Sequence, residues 1–277
     1  MHTNQIGLIA MDMDGTLLDS RQRISRENLR ALKQARAKGV ALAICSGRLP
    51  GDIAVFLMES GLEDCAILSL NGAYCVRSPL GEAFANHVLP NAALEAAVGI
   101  LRKAELPFGC FAQNRLVIFE GAVPVKDAFW GTHTQGPCAP EYLYGDEGLK
   151  RVRPAGVNKL LCLAGDEAAL ESVRRRLADV DGLEVTSSWE LNLELMPAGT
   201  GKGSAVRELA EGMGLSARQV MAFGDYDNDE SMIAYAGLGV AMANATQSVK
   251  NAAKLVTLSN DENGVACAID RYVLTRP

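Results

Sequence analysis

Short apolar runs alternate with amphipathic segments along the first third of the chain. Apolar runs at 8–11, 40–45 and 66–70 have the length of buried strands, and each is followed by polar residues or glycine. Between them, 24–38 and 52–60 carry apolar residues at helical spacing. Strand, helix, strand, helix, strand in this order predicts a parallel, doubly wound α/β sheet.

The same pattern returns towards the C-terminal end of the sequence. A helix is predicted from residue 202 onwards and a buried strand over 220–223. Short strands are predicted over 239–242 and 255–257, with helices between and after them. These elements extend the sheet that the first third begins.

The middle of the chain has a different pattern. It predicts a helix over 92–104, an antiparallel hairpin around Asn114, and a strand, a helix and a strand over 158–187. We therefore predict a Rossmann-like core made of 1–83 plus 189–277, with an inserted α/β cap domain over 84–188.

The composition indicates a globular protein. Of 277 residues, 48% are hydrophobic and 22% charged, which is typical of a globular protein. The net charge of −6 argues against nucleic acid or an anionic membrane as the main partner. Seven cysteines without a C-x-x-C pair indicate a reducing compartment, and no apolar stretch has the length of a membrane span. We expect a cytoplasmic protein; the sequence leaves the oligomeric state open.

Reactive side chains follow the predicted core strands. Asp12 and Asp14 come directly after the first strand. Ser46 and Arg48 follow the second strand, Asn71 follows the third, and Asp225 follows the strand predicted over 220–223. Ligands of open α/β sheets bind at the carboxyl ends of the strands, and side chains at i and i+2 point to the same side. We expect these groups to converge at one edge of the sheet.

Neighbouring carboxylates need a cation, a shared proton or open solvent. Hard oxygen ligands such as Asp12, Asp14 and Asp225 suit Mg²⁺, which commonly takes one or two carboxylates, waters and a substrate phosphate. The Ser46 hydroxyl and the Lys202 ammonium would then hold phosphate oxygens. Three competing motifs fail on spacing or residue type, namely a P-loop ending at Lys202, an EF-hand beginning at Asp225 and a dinucleotide fingerprint at 237–239.

Four motifs in order resemble those of the haloacid dehalogenase superfamily. They are Asp12-Met13-Asp14-Gly15-Thr16, Ser46-Gly47-Arg48, Lys202 and Gly224-Asp225-x-x-Asn228-Asp229. A cap between the second and third motifs is similar to the Cof-type phosphatases of that superfamily. The resemblance covers both ends of the chain.

This resemblance implies a role for each motif residue. Asp12 would attack phosphorus to form an aspartyl phosphate, and Asp14 would protonate the leaving alkoxide and then deprotonate water. Mg²⁺ would be held by the Asp12 and Asp225 carboxylates and by the backbone carbonyl of Asp14. The remaining expected residues are Lys202 on the phosphoryl oxygens, Ser46, Gly47, Arg48, Asn71 and Asn228 around the substrate, and Asp229 and Thr16 behind the metal ligands.

The expected activity is Mg²⁺-dependent hydrolysis of small phosphorylated metabolites, with sugar phosphates as the first choice of substrate. Asp14 argues against a true dehalogenase, because a halide leaves without a proton. A phosphosugar mutase or phosphotransferase and a non-catalytic sensor stay open, although the sensor leaves Asp14 without a task. Arg48 fits substrate binding and a structural pair with an acid equally well. Trp130 and Trp189, which flank the cap, are interpreted as packing residues.

Overall fold

The computed structural model describes residues 5–78, 81–121 and 138–275. Its strands, in chain order, are β1 (Leu8–Met11), β2 (Ala41–Cys45), β3 (Ala66–Ser69), β4 (Tyr74–Val76), β5 (Ala83–Asn86), β6 (Phe108–Ala112), β7 (Arg115–Phe119), β8 (Glu141–Tyr144), β9 (Lys159–Leu163), β10 (Leu183–Thr186), β11 (Asn192–Pro197), β12 (Val220–Gly224), β13 (Leu238–Ala241) and β14 (Leu255–Val256). Its helices are α1 (Arg26–Ala37), α2 (Pro50–Ser60), α3 (Asn91–Lys103), α4 (Gly145–Val152), α5 (Glu167–Ala178), α6 (Lys202–Gly212), α7 (Glu230–Tyr235), α8 (Gln247–Ala252) and α9 (Gly264–Ile269).

The first sheet has the strand order β14-β13-β12-β1-β2-β3-β4-β5. The strands from β14 to β3 are parallel, and β4 and β5 are antiparallel additions at one edge. All four residues of β1 are buried, as expected for a central strand that is covered on both faces. Within the part of the chain that is described, no helix is long and apolar enough to cross a membrane.

The first helix begins at a capping residue and buries an apolar face. Helix α1 begins at the Ser25 cap, whose hydroxyl accepts from the Asn28 amide at 3.1 Å. The stripe expected from the sequence is Leu29, Leu32 and Ala35; Leu32 and Ala35 are buried, and Leu29 is partly buried against the core. Helix α1 packs on α9, and α6 packs on α7. The predicted doubly wound α/β core is confirmed.

The second sheet has the order β10-β11-β9-β6-β7-β8 and lies between β5 and α6 in the chain. Its pairs are antiparallel except for the parallel pair of β7 and β8. It has its own apolar core. A smaller apolar cluster joins the two units, with Leu49 and Leu70 from the first and Phe111, Leu161 and Met196 from the second. The second unit is therefore docked on the first.

Sheet membership corrects the predicted domain boundaries. Strand β5 completes the first sheet beyond residue 83, and β11, assigned from sequence to the core segment 189–277, pairs with β9 and β10 in the second sheet. By sheet membership the strands of the second sheet span 108–197. Strand β11 was misassigned because its alternation of leucine and polar residues suits either sheet.

Four elements were not predicted. Strands β4 and β5 are short, and β8 and α4 lie in the stretch 131–154, whose hydrophobic pattern has little periodicity. Helix α4 contains glycine at two of its eight positions, which weakens a helical signal. Residues 131–137 of that stretch lie outside the described part.

Candidate active site

The strand order brings the predicted residues to one edge of the first sheet. Met11 is paired with Phe223 of β12 on one side and with Ile44 of β2 on the other, so the loops after these strands are neighbours. The Asn71 amide donates to the Ser46 carbonyl at 3.0 Å, which joins the loops after β2 and β3. The loops after β1, β2 and β12 line a cavity of about 500 Å³.

Three carboxylates cluster in and behind the wall of this cavity. Asp12, Asp225 and Asp229 each offer an oxygen, and these oxygens lie within 4.8 Å of one another. The Thr16 hydroxyl donates to Asp225 Oδ1 at 2.6 Å. Gly15 has φ +78°, and a Cβ there would lie 2.3 Å from Asp225 Oδ2. The cluster therefore requires glycine at position 15 for two reasons, backbone conformation and space.

Lys202 bridges two of the three acids. Its Nζ donates to Asp12 Oδ1 and to Asp229 Oδ1, both at 2.6 Å. The other oxygen of Asp229 accepts from the backbone amides of Asp225 and Tyr226 at 2.9 and 3.1 Å. Burial alone lowers the pKa of Lys202, but the charges of Asp12 and Asp229 outweigh it and raise the pKa above its usual value. Asp229 thus fixes both the ammonium and the loop that carries Asp225.

The cluster has more negative charge than the protein neutralises. Burial raises the pKa of Asp12 well above its usual range, although the Lys202 charge opposes it. Burial, together with the Asp229 charge, raises the pKa of Asp225 to about 7. When all three carboxylates are ionised, one ammonium leaves two negative charges in excess, all on hard oxygen ligands. This donor set fits a divalent cation such as Mg²⁺.

Asp14 lies apart from that cluster and is paired with Arg48. The guanidinium donates from Nε and Nη2 to the two Asp14 oxygens at 2.8 and 2.6 Å, and Nη2 also donates to Gln22 Oε1 at 2.6 Å. The Arg48 guanidinium lies over the ring of Phe56, 5.3 Å from its centroid. The sequence allowed Arg48 either to bind substrate or to pair with an acid, and in the structure it pairs with Asp14. It holds the Asp14 carboxylate at the cavity wall.

Of the other predicted substrate residues, Ser46 and Asn71 are buried, and Gly47 and Asn228 are half-buried. The Ser46 hydroxyl accepts from the Arg48 amide at 3.2 Å. Asn71 has a left-handed backbone, with φ 55°, and its side-chain carbonyl accepts from Asn228 Nδ2 at 3.3 Å. The Asn71 amide group donates to Glu194 of the cap at 2.6 Å. The loop residues are therefore held partly by the cap.

Sequence reasoning missed two charged cap residues at the cavity, Lys159 and Glu194. They form an ion pair of 2.7 Å whose side chains are only 2% exposed. The sequence feature that could have identified them is a single charged residue in each of two mostly apolar strands, β9 and β11. Trp189, interpreted as a packing residue, is 47% exposed and lines the cavity, so that interpretation was wrong. Trp130 lies outside the described residues.

Comparison with known proteins agrees with this arrangement. The family model described as haloacid dehalogenase-like hydrolase matches residues 9–269. YwtE of Bacillus subtilis, a 5-amino-6-(5-phospho-D-ribitylamino)uracil phosphatase, is 30% identical, with 96% of this chain and 97% of YwtE covered. YcsE of the same organism has the same named activity and is 32% identical, with 97% and 96% covered.

A solved structure gives the same result for the fold. A haloacid dehalogenase-like hydrolase from Bacteroides thetaiotaomicron superposes with a TM-score of 0.82 at 33% identity, covering 96% of this chain and 99% of that one. The resemblance that the four motifs indicated is thereby confirmed. The chain belongs to the haloacid dehalogenase-like hydrolase family and, like the relatives named above, is a phosphatase.

Proposed function

We propose that this phosphatase hydrolyses small phosphomonoesters with the help of Mg²⁺, through a phosphorylated Asp12. The observation that carries the proposal is the buried arrangement in which Lys202 bridges Asp12 and Asp229 beside Asp225. A carboxylate nucleophile, an ammonium and a cation-binding pair of acids at one cavity wall are the groups that phosphoryl transfer needs.

Asp12 has the surroundings of a nucleophile in this scheme. Lys202 fixes its carboxylate through a 2.6 Å hydrogen bond at the floor of the cavity. A bound Mg²⁺, held by Asp12, Asp225 and the Asp14 carbonyl, would neutralise the phosphate and keep Asp12 ionised. Lys202 and the Ser46 hydroxyl then stabilise the charge that collects on the phosphoryl oxygens.

Asp14 is proposed as the acid and base. When Asp12 forms its bond to phosphorus, the ester oxygen leaves with the bonding pair and takes the Asp14 proton. Asp14 then accepts a proton from the water that attacks the phosphorylated Asp12, so free phosphate leaves and both acids are restored. Arg48 orients the Asp14 carboxylate through two hydrogen bonds.

Phosphorylated sugars and polyols are the proposed substrates. Two relatives act, by name, on a ribityl phosphate that carries a uracil ring. The cavity of about 500 Å³ has the size of a small-molecule site, and Trp189 and Phe111 in its wall offer apolar faces to a sugar or a ring. Polar groups of Asp52 and Asn192 line the same cavity and suit hydroxyl groups.

The function is tested by phosphate release from a panel of sugar and polyol phosphates, with Mg²⁺ and with EDTA. We expect release with Mg²⁺ and loss of release with EDTA. Transfer of phosphate between positions of one sugar without release would instead indicate a mutase, and no turnover of any ester in Mg²⁺ would contradict the proposal.

Mg²⁺ affinity is expected to depend on pH. A cation must displace the proton that the raised pKa of about 7 keeps on Asp225, so the affinity for Mg²⁺ falls as the pH drops below this value. Calorimetric titration with Mg²⁺ at pH 5.5 and pH 8.5, both roughly 1.5 units from that value, measures the effect. Asp225→Asn is the comparison, and equal wild-type affinity at the two pH values would contradict a site at Asp225.

Ser46→Ala is expected to lower kcat by about 10²-fold, because one donor to the phosphoryl oxygens is lost. The hydroxyl is small and buried, and the change removes only one oxygen. Ser69→Ala is the matched control, since Ser69 is equally buried one strand away and its hydroxyl donates to the Tyr74 carbonyl at 2.7 Å. Similar kcat losses in the two variants would contradict the role of Ser46.

A further inference from the structure

The Lys159–Glu194 ion pair of the cap forms part of the wall of the catalytic cavity. The two residues lie on neighbouring strands, β9 and β11, with Nζ 2.7 Å from Oε1. The ammonium also lies over the ring of Phe111, 4.6 Å from its centroid. Neither residue belongs to the four motifs, and the proposed chemical steps do not use them.

The pair makes direct hydrogen bonds to the core. Lys159 Nζ donates to the Gly47 carbonyl at 2.7 Å, and Asn71 Nδ2 donates to Glu194 Oε2 at 2.6 Å. Asn228 Nδ2 in turn donates to Asn71 Oδ1 at 3.3 Å. Two cap side chains thus reach the loops after β2 and β3 and, through Asn71, the loop after β12.

This network approaches the loop 46–48, which is proposed to bind phosphate, most closely at Gly47. A Cβ at position 47 would lie 3.2 Å from Asn71 Oδ1 and from Glu194 Oε1, and 3.3 Å from Lys159 Nζ. These contacts surround the α-carbon between Ser46 and Arg48. The side chains of the pair therefore pack closely against this loop.

Stability alone is a weak reason for such a pair. Taking two charges out of water costs about as much as their attraction returns, and apolar residues of similar volume are often as stable. Burial alone raises the pKa of Glu194, but the Lys159 charge and the hydrogen bonds from Lys159 and Asn71 bring it below its usual value. An ionised carboxylate is therefore kept in the cavity wall at neutral pH.

We propose that Lys159 and Glu194 are a positioning pair, through which the docked cap holds the 46–48 loop and Asn71 in the geometry that binds the phosphoryl group. This inference rests on the proposed phosphatase function and deepens it. Every phosphate ester meets the same loop, whatever its leaving group. The pair is therefore expected to affect all substrates alike, unlike a residue that selects the leaving group.

The test compares Lys159→Met, Glu194→Met and the double variant. Each single change leaves one buried charge without its partner and is expected to lower Tm, whereas the double change removes both charges and is expected to restore Tm. All three are expected to lose about 10²-fold in kcat/KM, because the loop is misplaced. The loss should be the same for a sugar phosphate and for p-nitrophenyl phosphate.

Two results would overturn the inference. If the double variant regains activity together with Tm, the pair is only structural. If the loss is confined to the sugar phosphate, the pair selects the leaving group instead. The matched control is the double variant Glu95→Met and Arg153→Met, an ion pair of 3.1 Å on the cap surface, which is expected to keep wild-type activity.

Binding of inorganic phosphate separates this inference from the proposed function. Calorimetric titration with phosphate and Mg²⁺ needs no turnover, and the double variant is expected to bind phosphate at least about tenfold more weakly than the wild type. If the wild type hydrolyses no ester, the proposed function fails, and the titration still decides on the pair. Equal phosphate affinity in the double variant and the wild type would overturn the positioning role.

Discussion

Asp12→Asn is expected to abolish phosphate release, with kcat lower by about 10⁴-fold or more, as for other lost nucleophiles. A neutral amide attacks phosphorus poorly and is a weak ligand for a cation. The side chain keeps its size, and Lys202 keeps its second partner, Asp229. The measurement is phosphate release from the best ester of the panel in Mg²⁺.

Asp227→Asn is the matched control for this variant. Asp227 lies two residues from Asp225, but its side chain is exposed and accepts from the Thr246 and Ser248 hydroxyls instead of joining the cluster. We expect nearly wild-type activity from it. If Asp12→Asn retained activity within about tenfold of the wild type, Asp12 would not be the nucleophile.

Asp14→Asn is expected to affect substrates unequally. An alkoxide leaving group needs a proton, so sugar phosphates should lose about 10²- to 10⁴-fold in kcat. An aryl phosphate such as p-nitrophenyl phosphate has a stable phenolate leaving group and should lose much less. The ratio of the two losses therefore isolates the proton transfer from any change in structure.

Arg48→Gln provides the comparison for that ratio. It removes the two hydrogen bonds that orient Asp14 but leaves the acid in place. Because Arg48 acts through the orientation of Asp14, this variant is expected to slow the sugar phosphate more than the aryl phosphate, and by less than Asp14→Asn does. Equal losses for both substrates in Asp14→Asn would exclude the acid role.

The core sheet could be predicted because its strands are buried on both faces. Strands β1 and β12 are uniformly buried, and such strands appear in a sequence as apolar runs that end at the polar loop. Strand β11 shows the limit of this reasoning. Its sequence alternates leucine with polar residues and does not indicate which sheet it joins, so only the pairing with β9 and β10 assigns it to the cap.

The site could be predicted only where its residues follow core strands. Asp12, Ser46 and Asp225 stand at strand ends, and parallel neighbours bring strand ends together. Lys159 gave no comparable signal, because its partners, Glu194 and the Gly47 carbonyl, lie 35 and 112 residues away in the chain. A single charged residue in an apolar strand indicates that a partner of opposite charge lies nearby, but the sequence does not show which residue it is.

The most direct test of the account is the chemical state of Asp12 during turnover. The enzyme is mixed with excess p-nitrophenyl phosphate and Mg²⁺, quenched in acid within one turnover and digested, and the peptide that contains Asp12 is examined by mass spectrometry. We predict one added phosphoryl group on Asp12, absent from Asp12→Asn. Phosphate release without phosphorylation of any residue would show direct attack by water and contradict the account.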